Sequence, residues 1–186
     1  MNQVQQALNA RTTVHEYKPG SVPEGSIERA LEAALAAPNH RMTEPWRFVS
    51  IGPQTRQQLS EVAVRLKVAK LGDSEELRQV VRAKFLNPAH LMVVSQVCEH
   101  DPVIAREDYA AIACAIQNFM LSLHSEGVGS KWSTSKVIQQ PETYRLLEID
   151  PQVGEIVAFI WVGAPAKVTT KRARSRQLAG LWRQLP

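Results

Sequence analysis

The sequence predicts an α+β domain with a small central sheet. Two apolar runs, LMVVSQVC at 91–98 and EIVAFIWVG at 155–163, have the composition of buried strands. Helical segments separate the strands without a regular βαβ repeat, which argues against a doubly wound parallel sheet. A chain of 186 residues is long enough to bury one core. We therefore expect a single domain over residues 1–186, with 166–186 as a basic C-terminal extension.

Each predicted element is a periodic or apolar segment bounded by residues that start or stop it. In chain order we expect a helix at 3–10, a helix at 21–37, a strand at 47–52, helices at 54–69 and 75–85, a strand at 91–98, a helix at 102–126, an extended segment at 130–135, a helix at 141–147 and a strand at 155–163. In the second helix, Ser21 and Glu24 have capping-box spacing, and Leu35 is expected on the inward face.

The composition is that of a globular protein without a membrane span. Hydrophobic residues make up 44% and charged residues 22% of the chain, and no apolar run approaches the ~18 residues of a transmembrane helix. The N-terminal segment lacks a basic region followed by an apolar stretch, so we expect no signal peptide and a cytoplasmic location. Cys98 and Cys114 lack metal or redox spacing and are predicted to be buried, reduced thiols.

The net charge of +4 is unevenly distributed. Residues 167–176, KVTTKRARSR, include five basic and no acidic side chains. Such a cluster is either a solvated tail or a site for phosphate, on a nucleic acid or on a cofactor. No aromatic side chains alternate with the basic ones, which disfavours nucleic-acid binding.

Motifs for hydrolysis, metal binding or nucleotide triphosphate binding are absent from the sequence. It contains no GxSxG, no HExxH and no Walker loop, and its five histidines lack metal-ligand spacing. A globular domain without reactive groups of its own either relies on a cofactor or serves as a binding module. Both alternatives stay open from composition and motifs alone.

Three stretches have the composition of a binding surface. ARTTVHEYKPGSVP at 10–23 places Arg11 beside two threonines, which suits a phosphate; alternatively Arg11 interacts with the C-terminus of its own helix. APNHRMTEPWRF at 37–48 is either a proline-bounded turn or a surface that holds a ligand. EGVGSKWSTS at 126–135 has two glycines that either end a helix or let the backbone approach a flat ring.

Taken in order, these stretches resemble the FMN-dependent nitroreductase family over nearly the whole chain. RTTVHEY is similar to its R-x-S-x-(R/K)-x-F motif, APNHRMTEPWRF to its AP-x(6)-PW-x-F block, and AIQNFMLSLHSEGVGSKWSTS to its long helix followed by G-L-G-S-x-W. EIVAFIWVGAPA is similar to the last core strand and its GxP turn. The PNHRM and PWRF blocks resemble the small single-domain bacterial branch. This resemblance implies a nitroreductase-like α+β fold, with a small, mostly antiparallel sheet flanked by helices, and a homodimer with two FMN molecules at its interface.

The resemblance also implies roles for individual residues. The FMN-binding positions are Arg11, Thr12, Thr13, His15, Asn39, His40, Arg41, Trp132, Ser133, Thr134, Arg172 and Arg174. The segment that meets NAD(P)H is Ser122, Leu123, His124, Ser125, Glu126 and Gly127. His40 matches the position that reaches the flavin of the partner subunit. Lys131 and Arg41 are candidates for stabilising negative charge at the flavin N1–O2 edge.

The implied activity is reduction of nitroaromatic, quinone or similar acceptors by NAD(P)H, in a ping-pong hydride transfer through flavin N5. No side chain is expected to be catalytic, because the flavin carries the chemistry. Two departures from the family pattern favour an alternative, a flavin-binding or sensing protein without catalysis. His15 stands where the family has Arg or Lys, and Ser133 stands where an arginine often follows the tryptophan. Met42 and Glu44 also replace the Asn and Gln of the commoner form of the proline block.

Overall fold

The computed structural model describes residues 2–167 and 181–185. Over these residues the elements follow the predicted order: α1 (Gln3–Ala10), α2 (Ser26–Leu35), β1 (Trp46–Ser50), α3 (Pro53–Leu71), α4 (Glu75–Leu86), β2 (His90–Val97), α5 (Pro102–Ser125), β3 (Gly129–Ser133), α6 (Pro141–Leu146) and β4 (Gly154–Gly163). Short 3₁₀ turns lie at His40–Met42 and Lys136–Gln139. Helices α3, α5 and α6 begin at a proline, whose fixed φ suits the first helical turn. Among the described helices, none is long and apolar enough to cross a membrane.

The four strands form one antiparallel sheet in the order β1-β2-β4-β3. The central strands β2 and β4 are almost entirely buried, because helices cover both faces of the sheet. This explains why both strands are continuous apolar runs rather than alternating ones. Between Val94 and Ser95 the pairing skips Val157 of β4, and this bulge changes which face the following side chains occupy. The predicted α+β class with a small antiparallel sheet is confirmed.

One face of the sheet is covered by α2 and α5. Alanines lie at the contact between the two helices: Ala30 and Ala34 on α2, and Ala111 and Ala115 on α5, all buried. Small side chains allow close approach of the helix axes, which brings the start of α2 against the end of α5. The packing of these two helices therefore fixes the end of α5, which borders one of the cavities described below.

The other face of the sheet is covered by α3, α4 and α6. Phe85 of α4 packs edge-to-face on Trp161 of β4, with ring centroids 4.8 Å apart, and on Phe159 at 6.5 Å. Leu59 of α3 is fully buried in the same cluster. Of these rings, Phe85 and Trp161 also line a cavity described below.

The start and the inward face of α2 differ from the prediction. The helix begins at Ser26, and Gly25 in a left-handed conformation occupies the N-cap without a side-chain cap. The capping box of Ser21 and Glu24 is therefore wrong. Leu35 is 58% exposed, because the alanines on the adjacent helical positions make the contact with α5.

The two cysteines also differ from the prediction, since both are exposed. Cys98 follows the end of β2, and Cys114 lies on the face of α5 that is turned away from the core. Apolar neighbours in the sequence suggested burial. However, Cys98 lies beyond the buried part of β2, and Cys114 is on the solvent-facing side of α5. The prediction of buried thiols is wrong.

Candidate functional site

Residues 11–17 run beside β3, so two of the predicted binding stretches lie together. Thr13 pairs with Ser130 in a parallel bridge. The Tyr17 hydroxyl donates to the carbonyl oxygen of Trp161 on β4 at 3.2 Å. Burial raises the pKa of Tyr17 above its ordinary range, so the hydroxyl stays protonated as a donor. The N-terminal segment is thereby fixed against the edge of the sheet.

Gly129 makes this close approach possible. A Cβ at this position would lie 2.8 Å from Cγ2 of Val14, 3.0 Å from Cγ of Pro165 and 3.1 Å from the carbonyl oxygen of Gly163. Gly127, by contrast, has a φ of 75° with open space around it, and it ends α5. Of the two glycines, one therefore serves as a helix stop and the other accommodates a neighbouring chain segment.

A cavity of about 630 Å³ lies between residues 15–17, β3 and the helices α3 and α4. Its lysines are Lys67, Lys70, Lys84, Lys131 and Lys136, and we call it the lysine pocket. Its other lining side chains include His15, Glu16, Tyr17, Phe85, Ser133 and Trp161. The volume is within the range of cofactor and small-molecule sites.

The positive charge of the lysine pocket is not neutralised within the described residues. None of the five lysines forms an ion pair there. The carboxylate of Glu16, which also lines the pocket, is paired with Lys167 at 2.8 Å. Burial lowers the pKa of Lys131, and the neighbouring charge of Lys84 lowers it further. Unpaired cations in a concave site create a potential that attracts an anion.

Arg56 of α3 stabilises the C-terminal end of α4, the helix that forms one wall of the lysine pocket. Its buried guanidinium donates to the carbonyl oxygens of Phe85 at 2.7 Å, Leu86 at 3.3 Å, Ala89 at 3.2 Å and Pro88. Burial lowers the pKa of Arg56. These bonds satisfy carbonyls that the end of a helix leaves without partners. No sequence pattern indicates this role of Arg56, because its partners are backbone carbonyls of α4 and of the turn that follows it.

A second cavity of about 430 Å³, the glycine cleft, lies at the other end of the same two segments. Arg11 and Thr12 line it together with His124 and Gly127. Arg11 Nε is buried without a hydrogen-bond partner among the described residues, and the same holds for Trp132 Nε1. Burial lowers the pKa of His124, and the charge of Arg11 adds to the effect. Since Arg11 lines this cleft, its buried donor without an acceptor indicates that a group carrying acceptor oxygens belongs here.

The predicted NAD(P)H segment, residues 122–127, ends α5 beside this cleft. Leu123 is fully buried in the core. The Glu126 carboxylate accepts hydrogen bonds from Arg29 at 2.7 Å and 2.8 Å and from the Ser26 hydroxyl at 2.5 Å. The Arg29 bonds, followed by the Ser26 bond, lower the pKa of Glu126 to about 2. Leu123 therefore anchors α5 in the core, and Glu126 joins α5 to α2. The other four residues of the segment are at least partly exposed to solvent.

Within one chain, the third predicted stretch lies far from the glycine cleft. His40 Nδ1 lies 2.9 Å from Oε2 of Glu107, and Arg41 Nε lies 3.5 Å from the same atom. Glu107 is in the first half of α5, whereas His124 is near its end. At ~1.5 Å per residue, these two positions are about 26 Å apart along the helix. His40 is therefore remote from the glycine cleft of its own chain.

The backbone of this third stretch is strained. Arg41, Met42 and Glu44 have φ values of 65°, 52° and 46°, in the left-handed region that non-glycine residues avoid. The Asn39 side chain stabilises the loop by accepting from the Glu44 N–H at 2.7 Å. Met42 is 75% exposed. Strained backbone with an exposed apolar side chain is typical of a contact surface rather than of a simple connection.

The remaining predicted residues fall in different places. Ser133 lines the lysine pocket, and Thr134 is exposed just after β3. Trp132 points to the opposite face of β3 and packs against the α2–α5 core. Arg172 and Arg174 lie outside the described residues.

Comparisons with known proteins agree with this geometry. The model of the nitroreductase family matches residues 8–164. Over 171 residues the chain is 29% identical to YfhC of Bacillus subtilis, which carries the provisional name NAD(P)H nitroreductase, and the match covers 90% of this chain and 87% of YfhC.

Two solved structures show the same fold. A nitroreductase-like family protein from Bacillus cereus has a TM-score of 0.85 at 22% identity, covering 100% of this chain and 97% of that one. A provisionally named nitroreductase from Desulfovibrio desulfuricans, solved in complex with FMN, has a TM-score of 0.76 at 25% identity, covering 100% and 98%. The predicted fold and the predicted family are both confirmed. Because the family model spans most of the chain, including every residue that lines the lysine pocket, the chain belongs to the nitroreductase family.

Proposed function

We propose that the protein is an FMN-dependent oxidoreductase that uses NAD(P)H to reduce nitroaromatic, quinone or similar acceptors. The observation that carries the proposal is the lysine pocket, a cavity of about 630 Å³ that combines unpaired cations with aromatic walls. Aromatic walls accommodate a flat ring, and cations attract a phosphate. The pocket is built from residues 15–17 and β3, which carry two of the motifs that resemble the family's FMN-binding segments.

The residues present fit FMN. The buried donor Arg11 Nε, which lines the glycine cleft, has no acceptor among the described residues, and the phosphate oxygens of FMN supply such acceptors. Thr12 and Thr13 add hydroxyl donors beside Arg11. His15 replaces a basic residue of the family motif, but the lysines that line the same pocket supply the missing charge.

In this proposal the chain binds and orients, since FMN, when bound, accepts a hydride from NAD(P)H and passes electrons to the acceptor. Lys131, which lines the pocket, would stabilise negative charge on the ring system of bound FMN. The buried rings of Tyr17 and Trp161 exclude water from one side of the pocket. We assign His124 and Gly127, which line the glycine cleft, to contact with the nicotinamide nucleotide, as the family resemblance implies.

We also propose that the site is completed by a second copy of the chain. His40 is about 26 Å along α5 from the cleft of its own chain, so it reaches a flavin only across a dimer interface. Along α5, Tyr109, Ala110, Ala113, Cys114 and Gln117 are accessible at helical spacing and form a largely small and apolar surface. Such a face on the longest helix suits packing against its own symmetry mate.

A visible spectrum of the purified full-length protein tests the proposed function. We expect oxidised-flavin absorbance that is retained after gel filtration, bleaches with NADPH or NADH under anaerobic conditions, and returns on adding 1,4-benzoquinone. A colourless protein that takes up no FMN on reconstitution would refute the proposal. Bound FMN that bleaches no faster than free FMN would favour the non-catalytic alternative instead.

The oligomeric state has its own test. We expect light scattering to give twice the chain mass for the FMN-loaded protein. Replacing Ala110 with Glu places a charge on the accessible face of α5 and is expected to shift this mass toward the monomer. Arg145→Glu, on the exposed surface of α6, is the matched control. A monomer that retains FMN would contradict the shared site.

A further inference from the structure

The lysine pocket carries more positive charge than FMN neutralises. Five lysines line it, and none has an ion-pair partner among the described residues. Glu16, the carboxylate that lines the pocket, is already paired with Lys167. The phosphate of FMN contributes roughly two negative charges near neutral pH. Positive charge therefore remains in the pocket when FMN is bound.

The lysines also differ in depth. Lys131 is half-buried on β3, beside the aromatic floor. Lys67 and Lys70 near the end of α3, together with Lys136 after β3, are exposed at the mouth of the pocket. An acceptor that enters the pocket from solvent would meet these exposed lysines first. Like charges held together without partners are unfavourable unless an anion joins them.

We infer that the electron acceptor is an anion, an aromatic ring carrying a carboxylate or sulfonate group. This inference rests on the proposed function and specifies the substrate class of the same site. The aromatic floor holds the ring of the acceptor, and Lys67, Lys70 and Lys136 attract its acidic group. The attraction is electrostatic and acts at the mouth of the pocket, so it raises the rate of productive encounter and weakens with salt.

A matched pair of acceptors tests the inference. 4-Nitrobenzoate and 4-nitrobenzamide have similar shape and carry the same nitro group, but only the first is charged. With the FMN-loaded full-length protein and saturating NADPH, we expect kcat/KM to be about tenfold higher for the nitrobenzoate at low ionic strength. Raising KCl to about 0.5 M should reduce this ratio to less than threefold, since the Debye length falls to about 4 Å.

Variants locate the effect at the mouth of the pocket. Lys67→Gln combined with Lys70→Gln is expected to bring the ratio close to one. The ratio is measured on variant protein that has been saturated with FMN, so any change in kcat/KM that the two acceptors share cancels. Both side chains are exposed, so folding should be retained. Arg145→Gln removes one positive charge from an exposed surface that does not line the pocket, and it should leave the ratio intact.

The outcomes separate the inference from the proposed function. Equal kcat/KM values for the two acceptors, with benzoquinone reduction intact, would overturn the anionic acceptor and leave the oxidoreductase standing. An absence of NADPH-dependent reduction of any acceptor would overturn both. A double variant that changes only the preference for NADPH over NADH would assign the surplus charge to the 2′-phosphate of NADPH, and this too would overturn the inference.

Discussion

Replacing Arg56 with methionine tests how the wall of the lysine pocket is held. The substitution keeps a long apolar stem but removes every donor of the guanidinium. Arg56 serves four carbonyl oxygens, and its bonds to Phe85 and Pro88 are buried. A buried carbonyl that loses its donor costs about 1–3 kcal/mol. Two such carbonyls would lower the free energy of unfolding by roughly 2–6 kcal/mol. Removal of the buried positive charge offsets part of this loss, so we expect a net loss of about 3 kcal/mol.

Urea unfolding followed by tryptophan fluorescence measures this loss through linear extrapolation. Arg78→Met is the matched control, because Arg78 on α4 pairs, among the described residues, only with exposed Asp73. The control should leave the free energy of unfolding unchanged within the scatter of the measurement. A loss below about 1 kcal/mol for Arg56→Met would show that water replaces the guanidinium, and the end of α4 would then not depend on it.

Three further predictions concern the junction of the two cavities and the buried histidines. Gly129→Ala is expected to cost about 1–3 kcal/mol of stability in urea unfolding, because the new Cβ would lie 2.8 Å from Cγ2 of Val14 and 3.0 Å from Cγ of Pro165, both short, stiff side chains; Gly52→Ala, where a Cβ meets no neighbour within 4 Å, is its control. Arg11→Ala should weaken FMN binding by about 1.5–3 kcal/mol, measured by flavin fluorescence titration. Burial lowers the pKa of His90 and of His124, so the unfolded chain binds more protons just below pH 6.5. Stability should therefore fall as pH drops through about 6.5 towards the lowered pKa values, as urea midpoints between pH 5 and 8 would record.

Specific results would contradict each of these predictions. Equal stabilities for the Gly129 and Gly52 variants would mean that residues 11–17 move aside freely. An unchanged FMN dissociation constant would reduce Arg11 to a helix-end residue. Urea midpoints that do not vary between pH 5 and 7, or that vary equally after His90→Gln with His124→Gln, would show that neither imidazole is disfavoured in its charged form.

The sequence was most informative where periodicity and stop signals coincide. The helix predicted at 102–126 is observed at Pro102–Ser125, and the strand predicted at 155–163 at Gly154–Gly163. A proline starts the helix and glycines end it, while the strand is apolar throughout because both faces of the sheet are covered. Local chemistry therefore defined these elements to within one residue.

The sequence was least informative where side chains from distant elements meet. The lysine pocket joins residues of α3, α4 and β3 with the turn at Lys136–Gln139, and no local pattern indicates that these lysines face one another. The role of Arg56 depends on carbonyl groups, which every residue has. The inward face of α2 was predicted from large apolar residues, whereas Ala30 and Ala34 make the contact because they are small. The lysine pocket, the role of Arg56 and the contact face of α2 all depend on how distant elements pack, which local sequence patterns do not encode.

The length of α5 has a consequence for mixed dimers. Arg11 and His40 lie near opposite ends of this helix, so each proposed site combines the Arg11 of one chain with the His40 of the other. If chains carrying Arg11→Ala are co-assembled with chains carrying His40→Ala, every mixed dimer holds one doubly altered site and one unaltered site. Random assortment makes about half of the dimers mixed, so about a quarter of all sites are restored. Two impaired variants would thus complement each other, which sites built from a single chain could not do.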